Sequence, residues 1–176
     1  MQTRNGKFIA SLAIMGATVL GVSAGLASAS GSTVGGEVHV YEADTNDAGN
    51  LGTVLLTGAI TDHGTDHQNA GPNGSNLFVL SKGSFAVDIS KVGNQLHKLP
   101  FDTTTCSSDG TVGGQVTIVQ GSGTGAYSGI TGTFDAKATE AFILPRAHGH
   151  CRMSATHYFG VLTAKATGTV SYGGNN

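Results

Sequence analysis

Four groups of residues in this chain have types and spacings that chemistry can use. Glu140 is the sharpest. It shares its parity with Phe134, Phe142 and Leu144 in an alternating run, so a carboxylate falls on the apolar face of a strand. A carboxyl group taken out of water must be paired or protonated, and such groups concentrate at functional sites. That makes Glu140 a candidate pocket contact or general acid–base, with His157 as a possible helper in catalysis. The competing reading is a bulge near Ala138 that turns Glu140 outward, or a pairing with Arg146 or Arg152. The second group is the histidines. His63 and His67 lie in DHGTDH, and His148 and His150 flank Gly149 beside Cys151. Neutral imidazoles bind Zn or Cu, so a metal site joining the two segments is the chemical reading. Solvated loop histidines are the plainer one, since no spacing here matches a zinc module. Asp62 and Asp66 lack the further acidic ligands that calcium wants. No cofactor is expected.

The third group is Cys106 and Cys151, the chain's two cysteines. An even count without a C-x-x-C motif reads as one disulfide in an oxidising compartment. The fourth is glycine-rich, from Gly121 to Gly132. A phosphate-binding loop needs a helix after it and a GK[ST] ending. A Thr-rich strand follows instead, so the segment reads as a turn in which glycine supplies positive φ and Tyr127 packs over the corner. Gly21-Val22-Ser23-Ala24-Gly25 fits the G-x-S-x-G nucleophile pattern but lies in an apolar leader, so it carries no catalytic weight. No other nucleophile elbow is present. The chain has no Trp, which removes the usual sugar-stacking platform of glycoside hydrolases.

That leader bounds the rest. Arg4 and Lys7 precede an uncharged run of about 17 residues, short and weak against the about 20 strongly apolar residues of a membrane span. Ala27-Ser28-Ala29 offers a small-x-small cleavage site. Residues 1–29 are therefore expected to be a secretory signal peptide, followed by a single domain over 30–176 with no membrane span. The formal net charge is −2, with 9 basic and 11 acidic residues. Losing Arg4 and Lys7 makes the exported part more acidic still. That argues against nucleic acid and anionic membranes as partners.

The elements that must position these residues are mostly strands. Gly36 to Ala43 alternates, with Val38 and Val40 on one face, and a turn cluster begins at Asp44. Gly52 to Thr61 puts Val54, Leu56 and Ile60 on one face. Asp62 to Ser75 reads as a long polar loop. Short strands follow at Asn76 to Ser81 and Ser84 to Ile89, joined at Lys82-Gly83. Ser90 to Leu99 is the helix candidate, stopped by Pro100. Thr111 to Gln120 is a strand. Ile130 to Leu144 and Thr156 to Tyr172 alternate throughout, with small or apolar residues opposite Thr and Lys. Fifteen extended residues reach about 50 Å, too long to stay flat in one domain. Such strands must curl, with Gly132, Gly160 and Gly168 as places to bend. The fold class is all-β, a curled antiparallel barrel, with a two-sheet sandwich as the alternative.

The blocks GTVLLTGAITDHGTDHQ, LSKGSFAVDISK, GSGTGAYSGITGTF and CRMSATHYFG resemble a group of secreted bacterial β-proteins of uncharacterised function. The GTGAYSGITG corner is similar to the allene oxide cyclase-like and dirigent-like barrel superfamily. That resemblance implies an eight-stranded barrel with an apolar central pocket. No catalytic residue of that superfamily matches a position here.

Together these readings predict an exported, non-enzymatic barrel holding a small apolar ligand among Phe134, Glu140, Phe142, Leu144, Tyr158 and Leu162. Two alternatives stand beside it. One is a structural or interaction protein of the envelope or matrix, whose partner is another envelope protein. The other is a cyclase- or isomerase-like enzyme using Glu140.

Overall fold

The computed structural model describes residues 33–46, 51–153 and 159–173. The expected signal peptide, His157 and Tyr158 lie outside them. The strands are β1 (Thr33–Asn46), β2 (Leu51–Gly58), β3 (Asp62–His67), β4 (Asn76–Leu80), β5 (Gly83–Asp88), β6 (Phe101–Asp102), β7 (Ser107–Ile118), β8 (Thr131–Ile143), β9 (Arg146–Ala147), β10 (His150–Cys151) and β11 (Phe159–Gly173). One short helix, α1 (Ser90–Leu96), follows β5.

Every pairing is antiparallel. The main sheet runs β5-β4-β3-β2-β1-β11-β8-β7-β6, and β5 also pairs with β7. That last pairing, Val87 with Ile118 and Asp88 with Thr117, closes an eight-stranded barrel. Closure removes the sheet edges and rules out the two-sheet sandwich. The long strands curl as their length demands. Gly168 of β11 lies so close to β8 that a Cβ there would stand 2.0 Å from the Thr133 carbonyl oxygen. Gly64 of β3 is equally tight against the Val79 carbonyl oxygen of β4.

The two ends of the barrel are filled differently. One end is packed with aromatic rings. Phe78, Phe85, Tyr127 and Tyr172 form a chain of edge-to-face contacts with centroids 5.5–5.8 Å apart. Tyr127 belongs to a 3₁₀ turn (Gly125–Tyr127) in the glycine-rich corner and is 1% exposed. Its hydroxyl donates to Asp62 Oδ2. Asp62 also accepts from the Ser81 hydroxyl and from the backbone N–H groups of His63 and Lys82. Burial alone would raise its pKa, but these donors outweigh that and hold it at about 2. Tyr127 is pushed upward by burial and by the Asp62 carboxylate.

The other end is covered by α1. Val92 of the helix is buried against β7, where Gly114 leaves room for it. Gln95 donates to the Gly113 carbonyl oxygen across 2.9 Å. Leu99 fills the space above Gly110. The Cys106–Cys151 disulfide ties the start of β7 to the β9–β10 hairpin. Leu144 donates its N–H to the Cys106 carbonyl oxygen beside it.

Two expectations need correction. DHGTDH is strand β3, not a loop, and β1 continues through Asp44 instead of turning there. In both places polar residues hide an inward-facing row.

Candidate functional site

A cavity of about 480 Å³ occupies the α1 end of the barrel. The reason lies in residue size. β8 and β11 carry Phe134 and Val170 towards the packed end, but Ala136, Ala138, Ala164 and Ala166 beyond them. Ala138 pairs with Ala164 and Ala136 with Ala166 on these neighbouring strands, so one stretch of the wall carries only small side chains and leaves space in front of it. The apolar part of the wall is completed by Val40, Phe78, Val92, Leu96 and Val116.

Carboxyl groups ring the same cavity. Asp44 of β1 pairs with Leu162 of β11, which pairs with Glu140 of β8, which pairs with Gly110 of β7. These positions form one row around the barrel, and Asp44, Leu162 and Glu140 line the cavity. Glu42 lines it too, two residues before Asp44 on the same inward parity. Asp66 of β3 lies behind, fully buried at 0% exposure. Gly52 of β2 makes room between them. A Cβ there would come 3.3 Å from Glu42 Oε1, so the missing side chain lets the Glu42 carboxyl lie across β2 toward Asp66.

The electrostatics follow from this crowding. Burial, then the Asp66 and Asp44 charges, push Glu42 up to about 8. Glu42 therefore keeps its proton at neutral pH and donates it to Asp66. Asp66 is raised by burial and partly held down by that bond and by Asn76 Nδ2, which donates to Oδ2 across 2.6 Å. Its Oδ1 has no hydrogen-bond partner. Asp44 is raised by burial and accepts from Gln68 Nε2 at 3.2 Å. Glu140 is raised by burial and partly offset by His97 at the end of α1. Among the described residues, no Lys or Arg lines the cavity.

The sequence-predicted residues divide cleanly. Phe134, Glu140 and Leu162 line the cavity. The β8–β11 register is continuous through Ala138, so no bulge turns Glu140 outward. Arg146 donates to the Thr104 carbonyl oxygen instead. Phe142 lies outside the cavity lining and stacks on Phe101 with centroids 6.2 Å apart. Leu144 also lies outside it, beside the disulfide. Tyr158 is outside the described residues.

The histidines are not brought together. His63 and His67 alternate with Asp62 and Asp66 along β3, on its outer face. His67 contacts the Thr65 hydroxyl at 3.0 Å. His148 occupies the β9–β10 turn with φ 53°, and His150 is exposed on β10. Among the described residues, no three His, Cys, Asp or Glu side chains gather in a way that could hold a metal ion.

Sequence reasoning missed Glu42 and Asp44, and weighed Asp66 only as a calcium ligand. The parity that exposed Glu140 was available for the first two, since Val38 and Val40 precede them on the same face. Asp66 had no such signal in a segment that reads as polar loop. No protein-family model, curated protein or solved structure matches this chain.

Proposed function

We propose that this protein is an exported, non-enzymatic β-barrel that carries a small, mostly apolar ligand in the cavity under α1. The observation that carries the reading is the cavity itself: about 480 Å³, walled by alanines and valines, with a few convergent polar groups. Ligand sites have this size and composition. Export is supported by the N-terminal layout and by the disulfide, and no helix among the described residues is long and apolar enough to cross a membrane.

Native mass spectrometry of the protein from its own host tests the reading. An added mass of a few hundred daltons that disappears on denaturation is expected. A bare chain, together with unchanged binding of apolar fluorescent probes in Ala164→Leu, would overturn it.

One observation favours a second reading, an interaction protein of the envelope. Ile143 and Phe159 are cross-strand partners on the outer face, 56% and 76% exposed. Exposed apolar pairs of this kind mark contact surfaces. Concentration-dependent association abolished by Phe159→Ser, with nothing bound in the cavity, would favour it.

A further inference from the structure

The carboxyl ring narrows the ligand class, an inference that rests on the cavity being a binding site. We propose that the ligand is an amphipathic cation, an apolar body ending in an amine, with its ammonium group seated against Glu42 and Asp44.

Three features of the cavity support this independently of one another. The first is its lining: Glu42, Asp44 and Glu140 face it, Asp88 stands at its edge, and among the described residues His97 is the sole basic side chain there. A carboxylate or phosphate ligand would meet like charge with no Lys or Arg to receive it. The second is the buried Asp66, whose Oδ1 has no hydrogen-bond partner. A barrel with no need for a positive partner would have no reason to keep carboxyl groups on adjacent rows there, because their burial is costly. The third is the shape of the lining. Apolar residues from Val116 and Phe134 to Ala166 form the deeper wall, and the carboxyl groups stand above it, Asp44 and Glu140 in one row and Glu42 in the next, beside Ala164 and Ala138. A ligand with one charged end and one apolar body fits that division.

An ammonium group carries three N–H donors, and charge-assisted bonds to carboxylates are stronger than neutral ones. Glu42 and Asp44 lie on one strand, two residues apart, so one ammonium can reach both. Metal ions compete poorly for this role, since no metal-binding group forms among the described residues.

The test uses three probes of nearly equal shape: 4-phenylbutylamine, 4-phenylbutanol and 4-phenylbutyrate. Calorimetry at pH 7.5 on the purified protein compares them. The amine is expected to bind at least tenfold tighter than the alcohol, and the butyrate weakest of all. Asp44→Asn is expected to weaken the amine at least fivefold and leave the alcohol within twofold. Asp44→Ser, a second change that removes the charge, should reduce the same preference if Asp44→Asn does not fold. An alcohol or butyrate that binds as tightly as the amine would overturn the cation assignment and leave the pocket standing. Failure of all three probes to bind would overturn the pocket reading as well.

Discussion

The proton held between Glu42 and Asp66 makes alkaline pH a specific stress on this barrel. In the unfolded chain Glu42 ionises near 4.5, and in the folded barrel it keeps its proton to about 8. Between those values folding takes up a proton, so stability falls as pH rises. Each unit of pH in that window costs about 1.4 kcal/mol. The whole window amounts to about 3–5 kcal/mol, the lower figure allowing for the proton being shared with Asp66. For a domain of this size that is a fall of about 10–15 °C in Tm from pH 5 to pH 8. Glu42→Gln keeps the shape, keeps a donor for Asp66 and has nothing to ionise. Its Tm is expected to match the parent within a few degrees at pH 5. At pH 8 it should exceed the parent by about 10 °C. Thermal unfolding followed by circular dichroism from pH 4 to 9, with the disulfide intact, measures both curves. Parallel curves across pH 5 to 8 would refute the reasoning, because the buried proton would then not exist.

The opposite limb belongs to Asp62, whose carboxylate is held at about 2. It contributes stability above its unfolded value, lost as pH falls through 2, and Asp62→Asn should cost about 1–2 kcal/mol at pH 7 with a flatter acid limb below pH 4. Reduction, or Cys106→Ser, opens a loop with a sequence separation of 45 and should lower stability by about 3–4 kcal/mol in urea melts; an unchanged midpoint would show that the bridge contributes nothing. Gly64→Ala drives a Cβ into the Val79 carbonyl oxygen, so loss of soluble folded protein is expected, and a well-folded variant would contradict the β3–β4 packing.

The sequence made the barrel legible where side chains alternate by size and polarity without interruption. Ile130 to Leu144 and Thr156 to Tyr172 do so for their whole length, and their length forces curvature. That is why Phe134, Glu140 and Leu162 could be placed on one wall. β3 was illegible for a physical reason. Its inward residues are Asp62, Gly64 and Asp66, and the two carboxyl groups are tolerated inside only because of partners on other elements. Asp62 depends on Tyr127 and Ser81, and Asp66 on Asn76 and Glu42. An apolar–polar period cannot reveal a strand whose core face is polar. Phe142 and Leu144 failed differently. They keep the inward parity, but the cavity ends before them, and only the placement of Phe101 and the disulfide fixes that limit.

The cavity originates in the distribution of side-chain volume along β8 and β11, and the carboxyl groups that face it come from β1 and β8. On both strands the inward alanines lie between larger residues, Phe134 and Glu140 on β8 and Leu162 and Val170 on β11. Had the four alanines been leucines or valines, ordinary core packing would have closed the space at no cost in strand propensity, since β-branched residues favour strands. Burying more apolar area there would have stabilised the barrel by about 25 cal/mol per Å². The chain forgoes that gain and also bears the cost of carboxyl groups turned inward at the same level. Stability alone favours neither choice. Each becomes favourable when an apolar body fills the space and a positive charge meets the carboxyl groups. A filled variant separates the two effects. Ala138→Val with Ala164→Val should raise Tm and remove binding of 4-phenylbutylamine together. A variant that gained stability and still bound the amine would place its site outside the barrel.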